Sequence, residues 1–273
     1  MACYHFNAGI IRRGNGGSVA ASSAYISGEK LRDIYDGKIH DRSYRQDVIH
    51  KEILLPVAAP EQLLDRQTWV DAINLSERRH NAQLARSFNL ALPRELSLNE
   101  QCTLLKEFIY ECFIRYDFCA DMAIHQGSHN SHTQAVLEAV ENRQNNPHAH
   151  IIIPFRTVGQ EGFHRTKIQS RSMNNPATLI FWRKEWARLQ NREFERLGLD
   201  VRVSHESLAM QGIDREPTKH LGAATLALER KGVRTDRGDQ YREILQRNKS
   251  REYERLQRRD RLYSRTREPD RER

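Results

Sequence analysis

Hydrophobic and polar positions change period several times along the chain, and each change marks an element. "CYHFNAGII" (3–11) is aromatic and β-branched and stops at a Gly-rich stretch, which predicts a strand and a turn. "SVAASSAYISGEKL" (18–31) is rich in small residues behind Ser18, a suitable N-cap, and predicts a short helix ending near Gly28. "YDGKIHD" sets a DG turn between polar arms, a hairpin signal. Residues 50–56 predict a strand closed by Pro56. Residues 60–86 predict a helix with Trp69, Ile73 and Leu84 on its apolar face. A strand over 87–93 ends at Pro93, and residues 97–116 form a strongly amphipathic helical pattern. Two further strands are expected at 118–125 and 148–158. A helix is expected at 176–198, with Pro176 early and Gly198 at its end.

Helices separate most of these strands, but the last two follow each other through a loop alone. That order predicts an α/β chain of the α+β type: a mostly antiparallel central sheet with helices packed on it. The segment between the last two strands, about 126–146, is polar and rich in Asn and Gln, and reads as a surface insertion. Hydrophobicity falls after about residue 205. We therefore expect a main domain over 1–205, an extension over 206–240, and a charged tail over 241–273 that is helical or partly disordered.

The 273 residues carry a net charge of +8 and a pI near 9.4, which favours a polyanionic partner, nucleic acid being the commonest. Residues 242–273 hold 12 Lys and Arg against 7 Asp and Glu, so this stretch supplies most of that excess. Alternating charge of this kind reads as a solvated helix, with DNA binding as the alternative. The four cysteines (Cys3, Cys102, Cys112, Cys119) show neither CxxC spacing nor a disulfide framework and read as reduced thiols. With no secretory-signal layout and no run of 18 apolar residues, the expectation is a soluble, cytoplasmic protein without membrane insertion.

The chemistry gathers in "NPHAHIIIPF" (146–155). Side chains at i and i+2 of a strand point the same way, so His148 and His150 share a face, about 7 Å apart at their Cα atoms. His125, ending the neighbouring strand, can supply a third imidazole; His129, His132 and His164 are rivals for that place. A rigid strand places a ligand better than a loop does, which favours His125. Three histidines leave coordination positions open, the layout of catalysis rather than of structure. Imidazoles alone suit zinc, nickel or copper, but an open position serves Mg²⁺ or Mn²⁺ when a phosphate oxygen completes the shell. A zinc hydrolase is a poorer reading, because HExxH is absent and no matching carboxylate flanks the histidine pair.

"NPHAHIIIPFR" resembles the metal-binding motif of the HUH endonucleases, and the wider pattern is similar to the MobA/MobL relaxases, which nick DNA in plasmid mobilisation. The blocks that carry the resemblance are "SVAASSAYISGEKL", "ERRHNAQLARSFNLALPREL" (77–96), "TLIFWRKEWARLQN" (178–191) and "HESLAMQGIDREPTKHLGAATLALERKGV" (205–233). They stand in the expected order from about residue 1 to about 240. The resemblance implies a relaxase domain over 1–205 built on a palm-like antiparallel sheet, with His125, His148 and His150 as ligands of a divalent metal, Mg²⁺ or Mn²⁺. It places the nucleophile at Tyr25, among small residues that let another backbone come close. It further implies nicking and rejoining of single-stranded DNA at an origin of transfer through a 5′-phosphotyrosyl link. Accessory mobilisation proteins and a type IV coupling protein would be further partners, and transfer to a recipient cell attached to DNA a further destination.

The chain departs from the family pattern in two ways. His148 follows His125 by 23 positions rather than a handful. Glutamates usual in the family are replaced by Asn74 and Ser87, so that Glu77 or a water would have to serve the tyrosine. Arg12, Arg13 and Arg156 are candidates for DNA phosphate contacts. Two other functions remain as alternatives. One is a rolling-circle replication initiator, although there the tyrosine follows the histidines. The other is a non-catalytic nucleic-acid-binding module, although such a module would carry stacking aromatics on its strands.

Overall fold

The computed structural model describes residues 4–126, 146–167, 170–218 and 221–265. These fall into two compact units, one formed by residues up to 126 together with 146–205, the other by 206–265. The polar insertion, with His129 and His132, lies outside the described residues except at its margins, as do residues 266–273 of the tail.

The first unit is built on a five-stranded sheet in the order β1-β5-β7-β6-β4, antiparallel at every pairing. Its strands are β1 (Phe6–Arg12), β4 (Val48–Leu54), β5 (Gln83–Ala91), β6 (Ala120–His125) and β7 (His148–Pro154), while β2 (Lys30–Arg32) and β3 (Ile39–Asp41) form the separate hairpin around the DG turn. Helices α1 (Val19–Ser27) and α2 (Arg66–Ser76) cover one face, where Val19, Ala20, Trp69, Val70 and Ile73 pack on Ala85, Ala123 and Ile152. Helices α3 (Leu98–Cys112) and α4 (Pro176–Arg196) cover the other, burying Leu105, Phe108, Trp182 and Trp186 against Phe88, Met122 and Ile151. The antiparallel α+β architecture expected from the element order is the one observed.

Local signals explain the helix ends. Ser18 Oγ accepts from Ala21 N at the start of α1, and Gly28 closes it at φ 65°, in the left-handed region that L side chains avoid. Ser97 and Glu100 make a reciprocal capping box on α3. One expectation is corrected. The helix expected over 60–86 ends at Ser76, and Gln83–Arg86 belong to β5, which starts four residues earlier than its sequence pattern suggests. Leu84, Ala85 and Arg86 are all buried, because β5 is an inner strand covered on both faces. Double burial erases the polar-apolar alternation by which a strand is told from a helix.

In the second unit the charged stretch is helical from Asp236 to Arg265, and Ala223–Arg230 precedes it across a turn at Gly232. Glu229 ties the two helices, accepting from Thr235 N and from Arg242 Nη1.

Candidate metal centre and nucleophile

The β6–β7 register sets His125 directly opposite His148, with His150 two residues further along, opposite Ala123. Alternation then puts all three imidazoles on the sheet face covered by α1 and α2. Their ring centroids lie 4.6–5.4 Å apart. One nitrogen from each can be chosen so that the three lie within 4.8 Å of one another.

Hydrogen-bond partners assign the ring protons. His125 donates from Nε2 to the carbonyl of Ile26 at 2.7 Å, and His148 donates from Nδ1 to the carbonyl of Asn146 at 3.0 Å. His125 Nδ1 and His148 Nε2 therefore carry the lone pairs. His150 Nε2 is buried with no hydrogen-bond partner among the described residues. Burial, reinforced by the neighbouring histidines, lowers the His150 pKa to about 3; burial likewise lowers that of His125. Two imidazoles oriented by carbonyl acceptors and a third with an orphaned nitrogen are what a divalent cation requires. The residues fit such an ion.

Helix α1 delivers Tyr25 to this cluster. Its ring stands edge-on to His125 and His150, with centroid distances of 6.1 and 5.7 Å, and the residue is 44% exposed. The helix is fastened from beneath. Ser23 Oγ donates to Asp121 Oδ2 at 2.5 Å, and Asp121, wholly buried on β6, also accepts from Arg66 of α2 at 3.0–3.2 Å. Burial pushes the Asp121 carboxyl upward, while Arg66 and Ser23 pull it back. Glu29 joins Arg66 at 2.6 Å and Lys51 at 2.8 Å.

Two residues that sequence reasoning passed over complete the site. Arg45 lies over the Tyr25 ring, its guanidinium carbon 4.0 Å from the ring centroid, and donates to the Tyr25 carbonyl at 3.1 Å. It grips both carboxylate oxygens of Asp47 and comes within 3.3 Å of His125 Nδ1; Asp47 Oδ2 is itself 3.9 Å from that nitrogen. The β4–β6 pairing brings them there, since Val48 faces His125 and Gln126 donates to the carbonyl of Asp47. "RQD" ahead of a strand stands out in no way among 44 basic residues.

The remaining candidates are not brought to the histidines. Antiparallel pairing puts Arg12, Glu77 and Arg156 toward the opposite end of the sheet: His148 pairs with Ala91, whereas Pro154 pairs with Ala85 and Arg12 with Gln83. From His150 to Pro154 alone is ~13 Å along the strand, and Arg156 lies beyond. Glu77, buried between α2 and β5, forms ion pairs with Arg156 and Lys167 at 2.8 Å each. Arg13 is buried, stacks on Tyr35 and donates to Asn74 and to the carbonyls of Glu77 and Arg79. Arg156 also donates to the carbonyls of His164 and Arg165. Arg13 and Arg156 thus hold loops together, while Arg12 is exposed. His164 belongs to this end as well, bonded to Thr157. Around the Glu77 ion pairs opens a cavity of about 760 Å³, with Arg78, Arg79 and Arg165 on its wall and exposed.

A second cavity, of about 410 Å³, runs beside α1 from Gly16–Ser18 to Tyr25 and His150, over Ser87 and Ile152. Gly17 is required at its mouth: a Cβ there would stand 2.6 Å from the Arg12 carbonyl oxygen.

A family model described as the MobA/MobL family matches residues 17–231. A probable conjugal transfer protein TraA of Sinorhizobium fredii is 28% identical over 264 residues, which cover 86% of this chain and 22% of that protein. The mobilization protein MobL of Acidithiobacillus ferridurans is 29% identical over 247 residues, covering 85% of this chain and 65% of its own length. A solved structure described as "Molecular Basis of Vancomycin Resistance Transfer in Staphylococcus aureus" superposes with a TM-score of 0.63 at 29% identity, covering 76% of this chain and 100% of that one. The chain thus spans under a quarter of the TraA protein and just under two thirds of MobL.

Proposed function

Because the chain belongs to the MobA/MobL family, we propose that it is the DNA-nicking module of a conjugative relaxase, cutting and rejoining one strand at an origin of transfer. The observation that carries this reading is the Tyr25 ring set against His125 and His150 at the mouth of a groove. Residues 1–205 make the nicking domain, 206–240 an extension and 241–273 a charged tail.

In the reaction the Tyr25 hydroxyl oxygen forms a bond to the scissile phosphorus and gives up its proton. The P–O3′ bond breaks, and the departing 3′-oxygen takes a proton. One phosphate ester replaces another, so the step runs back as readily as forward, which suits an enzyme that must rejoin ends. A bound Mg²⁺ or Mn²⁺ at His125, His148 and His150 would withdraw charge from the non-bridging oxygens of the phosphate. The chain's own residues do the positioning. Ser23 and Asp121 hold the helix that carries the phenol, and the carbonyls of Ile26 and Asn146 orient two of the imidazoles.

The groove beside α1 suits a single strand, its wall made of Gly16, Gly17, Ser18 and Ser22, small enough for a sugar–phosphate chain to lie close. At the far end of the sheet the exposed Arg78, Arg79 and Arg165 would supply phosphate contacts beside Arg12, Arg13 and Arg156, of which the last two also hold partners within the protein. Among the described residues no helix is long and apolar enough to cross a membrane. The proposed partners are single-stranded origin DNA, accessory mobilisation proteins and a type IV coupling protein, with the nicking taking place in the cytoplasm.

The test is covalent capture. Incubation with Mn²⁺ and single-stranded circular DNA carrying the candidate origin should leave a peptide on the DNA 5′ end, identified by mass spectrometry as the one containing Tyr25. Tyr25→Phe should abolish the adduct and leave DNA binding nearly intact. An adduct that persists in Tyr25→Phe, or a peptide without Tyr25, overturns the assignment.

A further inference from the structure

We propose that Arg45, oriented by Asp47, is the positioning residue that holds the phenol of Tyr25 against the histidine cluster. This rests on the reading of Tyr25 as nucleophile and deepens it.

Tyr25 stands in the last turn of α1, three residues before the left-handed Gly28, where a helix is least constrained. Ser23 and Asp121 secure the backbone there, but nothing in that linkage governs the ring. Arg45 does so through its shape. The guanidinium is planar, and its nitrogens are committed in two directions: Nε and Nη2 to the two Asp47 oxygens, Nη1 to the Tyr25 carbonyl. A plane held at these points cannot swing, so it presents a fixed surface to the Tyr25 ring 4.0 Å away. The side chain of Arg45 is 12% exposed, whereas Tyr25 is 44% exposed. The less exposed partner thus fixes the freer one.

The pair also answers a question that the sequence raised. The carboxylate expected to support the site, Glu77, is spent on Arg156 and Lys167 at the other end of the sheet. Asp47 brings a carboxylate to the histidine end, its Oδ2 3.9 Å from His125 Nδ1, and Arg45 transmits its hold to Tyr25. Arg45 acts through the phenol ring, and Asp47 acts through Arg45.

The test compares Arg45→Met, Arg45→Lys and Tyr25→Phe in the full chain, with thermal melts to establish that each folds. The first readout needs no activity. With 3-fluorotyrosine encoded at position 25 and a chelator present, the ¹⁹F resonance should shift and narrow in Arg45→Met as the ring gains freedom. The second is single-turnover cleavage of the oligonucleotide mapped in the capture experiment. Its rate should fall ~10- to 100-fold, as expected for a misplaced nucleophile, while the Kd for that oligonucleotide stays within about threefold. Arg45→Lys keeps the charge but loses the planar fork, and should resemble Arg45→Met in both readouts. An unchanged ¹⁹F spectrum in Arg45→Met, or full rescue by Arg45→Lys, overturns the positioning role. The two readings fail separately. If Tyr25 is not the nucleophile, Tyr25→Phe still forms the adduct; if only Arg45 is wrongly assigned, Tyr25→Phe is dead and Arg45→Met cuts at the normal rate.

Discussion

Asp121→Ala should be among the most damaging single substitutions in the first unit, and its cost can be worked from the contacts. The carboxylate is wholly buried and accepts from Arg66 Nε and Nη2 at 3.0–3.2 Å and from Ser23 Oγ at 2.5 Å. Its loss leaves the Arg66 guanidinium, whose side chain is 9% exposed, with Glu29 on Nη1 as its remaining carboxylate. Removing one partner of a buried ion pair costs ~3–5 kcal/mol; the Glu29 contact that Arg66 keeps places this loss at the lower end, about 3 kcal/mol, and the orphaned Ser23 hydroxyl adds about 1 kcal/mol. In a unit of this size each kcal/mol moves Tm by ~2–4 °C, so the melt should drop by about 10 °C or more. The assay is thermal and urea unfolding followed by circular dichroism at pH 7. Exchanging both partners for apolar residues, Asp121→Leu with Arg66→Met, should recover most of the loss, because no charge is then left buried. A single mutant that melts within about 1 °C of the parent would refute the reasoning. So would a double mutant no more stable than the single. Because Ser23 and Asp121 hold the helix that carries Tyr25, the single mutant should also form the DNA adduct more slowly.

Two more outcomes are expected. His150 stays neutral in the fold, its pKa lowered to about 3, while an unfolded imidazole titrates near 6.5; below 6.5 the unfolded chain takes up a proton that the native one refuses. The stability from this site is therefore complete above about pH 6.5 and is lost as pH falls toward 3, by at most ~1.4 kcal/mol per unit. In a chelator His150→Phe should flatten the fall of Tm between pH 7 and 5, and parallel profiles would count against a buried neutral His150. His148→Ala should weaken Mn²⁺ binding in a calorimetric titration by at least ~10-fold, since even outer-shell changes at such sites cost that much. Unaltered Mn²⁺ affinity would remove His148 from the ligand set.

Some of this molecule follows from local rules that the chain carries in its sequence. A period of two puts His148 and His150 on one face whatever the strand later pairs with, and Ser18, Gly28, Ser97 and Pro176 mark helix ends because capping is a matter of a few adjacent residues. Strand β5 was less legible. Burial on both faces removes the alternation at Leu84–Arg86, and the helical pattern upstream runs on into it. Other features belong to the pairing alone. That His125 stands across from His148 depends on the β6–β7 register, and that Arg45 and Asp47 reach His125 depends on β4 lying beside β6. The same antiparallel order carries Glu77 and Arg156 to the far end of the sheet, where they satisfy each other. Side-chain direction is set within one or two residues, and so the sequence determines it. Which charged groups meet is set by strand order across dozens of residues, and only the folded sheet decides that.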